Sequence, residues 1–345
     1  MRVVLLSWLI SVCMAQLQAF FDYVWHRGKN SCLTLFKFMV PISIIIRFIQ
    51  QWGLLTYLCD YLEPVMQVVG LPAETAIVWL TTMVVNIYGG FLTLFSIYPH
   101  MEPMTVAQMT TLFTMMLVAH TFPIEITIAQ KTGVKAWVMT AIRFVFAILL
   151  GILMSRMYNA LGALQDEATI SPFLTTSQTS WGAWALNELK NYVIITCVIF
   201  TLVIFLHLLD VTGLIRIVNK VMEPTLKWLG ISQKVLPITI IGLTLGIAYG
   251  GGLLIEESRQ KDIDIKGIFY SMTLMGLFHS IIEDTLLMLS MGGHWTGVVL
   301  FRFVYACLIT FIFVKCTNRM PLDKFERLFM TKAVKQREVE RELES

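Results

Sequence analysis

The sequence predicts an all-α integral membrane protein made of two repeats in inverted topology, each with three crossings, one re-entrant hairpin and an amphipathic helix. Three observations support this prediction: an apolar composition, an internal duplication, and basic residues that change sides between the two copies. Hydrophobic residues occupy 57% of the 345 positions, and charged residues only 14%. A soluble core cannot bury that much apolar surface, so lipid has to cover part of it.

The predicted crossings are apolar stretches that recur along the chain, at about 33–53, 106–130, 136–156, 191–209 and 296–315. As a helix, each is long enough to cross a hydrocarbon layer of roughly 30 Å. They lack the alternation of polar and apolar residues that marks a membrane β-barrel. The crossings are therefore predicted to be helical, with the lipid bilayer as the first partner of the chain.

Residues 1–32 are predicted to form an N-terminal anchor or an interfacial helix. Positions 2–16 have the character of a signal peptide that ends near Ala15. Phe20, Phe21 and Trp25 favour an uncleaved segment instead, because aromatic side chains settle among the lipid headgroups.

An internal duplication organises the rest of the chain. Residues 53–70 match 213–230 at an offset of 160, with Glu63/Glu223 and Pro64/Pro224 among the shared positions. Further matches at offsets of 159 to 161 are Tyr88/Tyr249, Gly89/Gly250, Thr114/Thr273, His120/His279, Glu125/Asp284, Gly133/Gly292 and Arg143/Arg302. A histidine, an acid and an arginine at a shared offset are far more specific than matched apolar residues, so we interpret the pattern as a duplication.

The duplication sets the predicted domain boundaries. Repeat 1 spans 33–156, and repeat 2 spans 191–316 in the opposite orientation. Residues 157–190 are predicted to form an external linker with an interfacial helix, and residues 317–345 a charged cytoplasmic tail.

The opposite orientation follows from the basic residues of matching loops, because cytoplasmic loops are rich in Lys and Arg. Segment 54–74 has no base, whereas its counterpart 214–234 has four, and loop 98–105 has none against three in 259–266. The third comparison has the reverse sign, with Lys131 and Lys135 against a base-free 290–295. This pattern predicts a multi-pass protein of a bacterial inner membrane with a cytoplasmic C-terminus.

Two glycine clusters mark the predicted hairpin turns. They comprise Asn86, Tyr88, Gly89 and Gly90 in repeat 1, and Tyr249, Gly250, Gly251 and Gly252 in repeat 2. A helical leg over 75–87 reaches about 20 Å, past the bilayer centre. Irregular backbone at that depth is tolerated only inside protein or beside a wet cavity. We expect both segments to re-enter the membrane; glycines that simply pack two helices closely are the alternative.

Polar residues collect near the middle of the second crossing of each repeat. They are His120, Thr121 and Glu125 in repeat 1, and His279, Ser280, Glu283 and Asp284 in repeat 2. Phe122-Pro123 predicts that the first of these crossings is a broken helix. Ionisable side chains at such depth are costly and mark a functional site. The alternative is a structural network, in which Arg143 neutralises Glu125. Arg302 would likewise neutralise Asp284.

Glu256 and Glu257 follow the second glycine cluster, where repeat 1 has Phe95 and Ser96. This asymmetry makes the two acids candidates for a cation site or a gate; a position at the cytoplasmic rim is the alternative. Because repeat 2 has the additional acids, we expect it to do most of the recognition.

The runs YGGGLLIEESR (249–259) and LMGLFHSIIEDTLLML (274–289) resemble the nucleoside-recognition or Gate domain family. That family includes the membrane part of the ferrous-iron transporter B, the concentrative nucleoside transporters and the spore maturation proteins A and B. The resemblance covers about 36–156 and 191–316 and is more specific in the second unit. It implies a permease-like core that holds its substrate between hairpin tips and broken helices. The chain has no phosphate-binding glycine loop, so uphill transport implies an ion gradient or a partner subunit.

These features predict a secondary transporter or permease for a small polar solute or ion. The imidazole–carboxylate set suits a divalent transition metal, with His279, Glu283 and Asp284 as candidate ligands. The alternatives are an ion-coupled carrier of a nucleoside or other organic solute, and a membrane assembly factor that transports nothing.

No nucleophile–base pair or cofactor motif stands out, so we expect neither an enzyme nor a resident cofactor; the expected cation is transported or coupling. Nucleic acid is not an expected partner, and a homo-oligomer is compatible with this class.

Overall fold

The computed structural model describes residues 2–52, 54–168, 180–258 and 264–331. Regular structure in these ranges is helical, apart from two isolated β-bridges. The helices are α1 (Arg2–Gln51), α2 (Leu54–Val69), α3 (Thr75–Val84), α4 (Ile87–Ile97), α5 (Val106–Val118), α6 (Phe122–Lys131), α7 (Ala136–Leu161), α8 (Trp181–Val211), α9 (Leu214–Trp228), α10 (Leu236–Leu245), α11 (Ile247–Glu257), α12 (Ile265–Leu277), α13 (Glu283–Ser290), α14 (Arg302–Asn318) and α15 (Leu322–Phe329).

Within the described ranges, four stretches are long and apolar enough to cross a membrane: Val106–Lys131, Ala136–Leu161, Trp181–Leu209 and Thr296–Asn318. The chain is thus an all-helical, multi-pass membrane protein. The N-terminal region differs from the expectation of a separate segment 1–32. A single helix, α1, runs through that boundary, and Pro41 lies inside this helix without ending it.

The same order of elements occurs twice. A 15- or 16-residue helix (α2, α9) precedes two short helices (α3–α4, α10–α11), and an interrupted helix (α5–α6, α12–α13) precedes a long one (α7, α14). Glycines with positive φ end matching elements, at Gly70 and Gly230 and again at Gly133 and Gly292. These parallels agree with the duplication seen in the sequence.

Corresponding helices run in opposite directions. The first turn of α7 meets the end of α15, where Lys135 donates its amide to Phe329 O at 2.9 Å. The last turns of α7 meet the start of the α14 segment, where the hydroxyls of Tyr158 and Thr296 lie 2.8 Å apart. Since α15 follows α14 directly, α7 and α14 are antiparallel. Placement of the two copies relative to a bilayer stays a prediction.

The short helices α3 and α4 fold back on each other, and so do α10 and α11. A Cβ atom on Gly90 would lie 1.9 Å from Thr82 Oγ1, and one on Gly250 would lie 2.3 Å from Gly242 Cα. Residues eight apart touch in this way only if the chain reverses between them.

The turns lie before the predicted glycines, and of the predicted turn residues Asn86 stands at a break. The helices break at Val85–Asn86 and at Gly246, whereas Gly89 and Gly90 lie inside α4, and Gly250, Gly251 and Gly252 lie inside α11. The physical reason is capping: the Asn86 side chain accepts from Gly89 N at 2.8 Å and starts the second leg. Gly90 and Gly250 serve the close packing of the legs.

Candidate functional site

Two interrupted helices bring one histidine each to the centre of the bundle. His120 lies in the break between α5 and α6, and His279 lies in the break between α12 and α13. Their Nε2 atoms are 3.1 Å apart. Both side chains are buried, with exposed fractions of 4% and 1%. The two repeats therefore meet at a histidine pair.

The backbone fixes which ring nitrogens face each other. His120 Nδ1 lies 3.0 Å from Met116 O, and His279 Nδ1 lies 2.6 Å from Met275 O. A carbonyl oxygen can only accept, so each Nδ1 carries the proton and donates it. In the neutral imidazole, each Nε2 then presents a lone pair. Two lone pairs thus point into the same small space.

A carboxylate oxygen completes a triangle of acceptors. Glu125 Oε1 lies 3.3 Å from His120 Nε2 and 3.2 Å from His279 Nε2. The other carboxylate oxygen, Oε2, is bound by the buried Arg143 guanidinium. Three acceptor atoms at these distances repel one another unless a positive charge lies among them. The arrangement is suited to a cation.

The two arginines are buried completely, but they differ in what they bind. Arg143 forms the expected ion pair with Glu125 and donates Nε–H to Val118 O at 2.9 Å. Arg302 donates instead to backbone carbonyls, namely Leu277 O at 3.1 Å, Leu117 O at 3.3 Å and His279 O at 2.9 Å.

This replaces the predicted pairing of Arg302 with Asp284. The last carbonyls of an interrupted helix have no partner inside the helix, and the guanidinium of Arg302 satisfies them at the ends of α5 and α12.

Each break is held open by an unusual backbone conformation. Thr121 and Ser280 have φ values of 50° and 47°, in the left-handed region that non-glycine residues rarely adopt. Each break is also tied to a neighbouring hairpin, since Thr121 N donates to Thr82 O and Ile281 N donates to Leu243 O, both at 3.0 Å. These bonds place each hairpin turn beside a histidine.

A cavity of about 220 Å³ occupies this meeting point. It is lined by all seven polar residues predicted from the interrupted crossings, namely His120, Thr121, Glu125, His279, Ser280, Glu283 and Asp284, and by Asn86 and Tyr88 from the first hairpin. Ile87, Leu245, Gly246 and Ile247 complete the lining.

Sequence reasoning missed Gly246 and its neighbours. The signal was present, because an offset of 160 from Asn86 leads directly to Gly246.

Other predicted site residues lie elsewhere. Gly89, Gly90, Gly250, Gly251, Gly252, Glu256 and Glu257 are not among the residues that line the cavity. Glu256 is exposed on α11, and a gating role for the two acids stays a prediction. The side chain of Tyr249 lies outside the described part of the chain.

Two residues of the predicted metal set, His279 and Asp284, lie in one cluster with His120. The candidate ligand atoms of His120, His279 and Asp284 lie within 4.8 Å of one another, with Asp284 Oδ2 3.9 Å from His120 Nε2. Glu125 is closer to both histidines than Asp284 is to His120. Glu283 lines the cavity without joining this cluster. The carboxylate nearest to both histidines comes from repeat 1; that repeat 2 does most of the recognition stays a prediction.

Comparisons with known proteins agree with this architecture. Over 290 residues, the chain is 23% identical to a protein of Bacillus subtilis (strain 168) described as the uncharacterized membrane protein YvoD; the similarity covers 82% of this chain and 90% of that protein. No solved structure matches. Residues 32–135 match the Gate family, described as nucleoside recognition.

That match lies on the first repeat, although the runs that suggested the family come from the second; a second Gate unit at 191–316 stays a prediction. The resemblance to the nucleoside-recognition (Gate) family is thus confirmed for residues 32–135 of this multi-pass membrane protein.

Proposed function

We propose that this chain is an inner-membrane permease that carries a cation through the cavity between its two repeats, with a divalent metal as the preferred substrate. One observation carries the proposal: the Nε2 atoms of two imidazoles and a carboxylate oxygen converge to within 3.1–3.3 Å of one another. Such a convergence of acceptors is costly in a buried place without a cation and favourable with one.

The location of the cavity supports transport rather than a purely structural cation site. Its walls come from two hairpin turns and two helix breaks, which are the elements that line substrate sites in transporters built from inverted repeats. The antiparallel course of α7 and α14 supports the inverted orientation predicted from the loop charges.

The size of the cavity favours an ion over an organic solute. Sites for small organic molecules usually have volumes of about 300–1,000 Å³, whereas this cavity has about 220 Å³. A hydrated or partly dehydrated metal ion fits that volume, and imidazole with carboxylate is a ligand set that transition metals accept.

Uptake by the purified protein in lipid vesicles tests the proposal. We expect wild-type vesicles to take up at least one of iron, zinc, manganese and nickel, and we expect His279→Ala to abolish that uptake. His294→Ala is the matched control, because His294 lies outside the cavity and contacts Thr296; it should transport normally. Uptake that is absent in the wild type, or unchanged in His279→Ala, would contradict the proposal.

A second candidate is an ion-coupled carrier of a nucleoside. The match of residues 32–135 to a nucleoside-recognition family favours it, and Asn86, Tyr88 and Ser280 offer hydrogen bonds in the cavity. Thermal stabilisation of the protein in detergent by unlabelled nucleosides, without stabilisation by metals, would select this candidate. No uptake and no stabilisation by either class would favour a membrane assembly factor.

A further inference from the structure

We infer that His120, His279 and Glu125 form a two-histidine, one-carboxylate site for a divalent transition metal, with Asp284 beside its open face. This inference deepens the proposed function, on which it rests for the role of the cavity, by naming the ligands and the class of metal. It changes the ligand set expected from the sequence, since His120 and Glu125 take the places of Glu283 and Asp284.

The dimensions of the acceptor triangle fit such an ion. With edges of 3.1, 3.2 and 3.3 Å, its three atoms lie on a circle with a radius of about 1.85 Å. Transition metals bind imidazole nitrogen and carboxylate oxygen at roughly 2.0–2.1 Å. An ion about 0.9 Å above the plane of the triangle therefore reaches all three atoms at normal bond lengths. No side chain has to move to form the site.

Each ligand is already oriented by a second partner. The Nδ1–H groups of the two histidines are bound to backbone carbonyls, and Arg143 holds Oε2 of Glu125. Partners of this kind fix the tautomer and the direction of metal ligands in known sites. Because Arg143 occupies Oε2, Glu125 can offer only Oε1 to the ion.

The set of two histidines and one carboxylate favours some cations over others. Two imidazoles with one carboxylate are typical of zinc and ferrous sites that keep positions open for exchange. Mg²⁺ and Ca²⁺ take oxygen ligands almost exclusively. Asp284 Oδ2, at 3.9 Å from His120 Nε2, lies too far to belong to the triangle but near enough to receive a departing ion.

Titration of the purified protein in detergent with Co²⁺ tests the inference, because Co²⁺ bound by imidazole absorbs visible light. We expect one equivalent to bind, and Zn²⁺ to displace it where Mg²⁺ and Ca²⁺ do not. His120→Ala, His279→Ala and Glu125→Gln should each weaken binding by more than the roughly 100-fold seen when an outer partner of a ligand is removed. Asp284→Asn should have a smaller effect.

Two further variants distinguish a loss of Co²⁺ binding from a loss of folding. Glu125→Gln leaves Arg143 buried without its partner, so the double variant Glu125→Gln/Arg143→Met removes both charges; it should melt cooperatively and still fail to bind Co²⁺. Glu63→Gln makes the same substitution at an exposed residue of α2 and should bind like the wild type.

Two results would overturn the inference: a folded wild-type protein that binds no Co²⁺, or a folded Glu125→Gln variant that binds normally while Asp284→Asn does not. The outcome is separable from the proposed function. Co²⁺ binding at this triangle without metal uptake by vesicles would contradict transport and leave the site in place. Metal uptake that survives the loss of the triangle would contradict the site and leave transport in place.

Discussion

Each repeat contributes a histidine, a hydroxyl residue and an acid to the cavity and has one buried arginine, but the two repeats use these groups differently. In repeat 1, Arg143 binds the carboxylate of Glu125, and that carboxylate touches both histidines. In repeat 2, Arg302 binds backbone carbonyls of both repeats, and Asp284 lies 3.9 Å from His120. The arginines therefore occupy matching sequence positions with separate tasks: one holds the carboxylate of Glu125, and the other joins the halves.

The largest expected difference between the repeats is in how much the free energy of unfolding falls when each arginine is replaced. Arg143→Met leaves a buried carboxylate without its partner, which costs about 3–5 kcal/mol in the free energy of unfolding. Arg302→Met removes donors from carbonyl dipoles rather than from a full charge, so we expect a loss of about 1–3 kcal/mol. Equilibrium unfolding in mixed micelles measures both values.

Arg156→Met, at an exposed position of α7, is the control and should change stability little. Equal losses for Arg143→Met and Arg302→Met would contradict the division of tasks.

The two hairpins provide the next comparison. Gly250→Ala places a Cβ 2.3 Å from the backbone of Gly242, whereas Gly90→Ala places one 1.9 Å from the Thr82 hydroxyl and 2.9 Å from Met116 Cε. Side chains can rotate away and backbone cannot, so Gly250→Ala should cost about 1–3 kcal/mol and Gly90→Ala less. The midpoint temperature of thermal unfolding in detergent shows which of the two variants is less stable.

Gly252→Ala is the control within the same helix. A Cβ on Gly252 meets nothing within 4 Å, so alanine should stabilise α11 by up to about 1 kcal/mol through helix propensity. A Gly250→Ala variant as stable as Gly252→Ala would show that the hairpin legs are not in close contact.

The smallest effects are expected at the helix breaks, where the repeats should behave alike. Thr121→Gly and Ser280→Gly relieve a left-handed conformation and should each stabilise the protein by up to roughly 1 kcal/mol. Thr127→Gly, in the regular helix α6, should destabilise it by about 0.5–1 kcal/mol. Opposite signs at Thr121 and Ser280 in the same unfolding measurement would show that the two breaks are not equivalent.

Much of this architecture was predictable from the sequence. Apolar stretches predicted four crossings that the described residues contain, whereas the crossing at 33–53 stays a prediction. The shared offset of His120 with His279 and of Arg143 with Arg302 predicted which polar residues are buried at the centre of the bundle. The turn positions were not predictable from glycine content, because Asn86 caps a helix, whereas Gly90 and Gly250 serve packing. The ligand set that we propose was not predictable either, since it depends on how two helix breaks face each other across 159 residues of sequence.

The central claim is that the repeats form one cation site together rather than one site each. The number of zinc ions bound per chain, measured by equilibrium dialysis followed by elemental analysis, tests this most directly. We expect one ion per chain in the wild type and its loss in both His120→Ala and His279→Ala. Two ions per chain, or one ion retained in either folded variant, would contradict it.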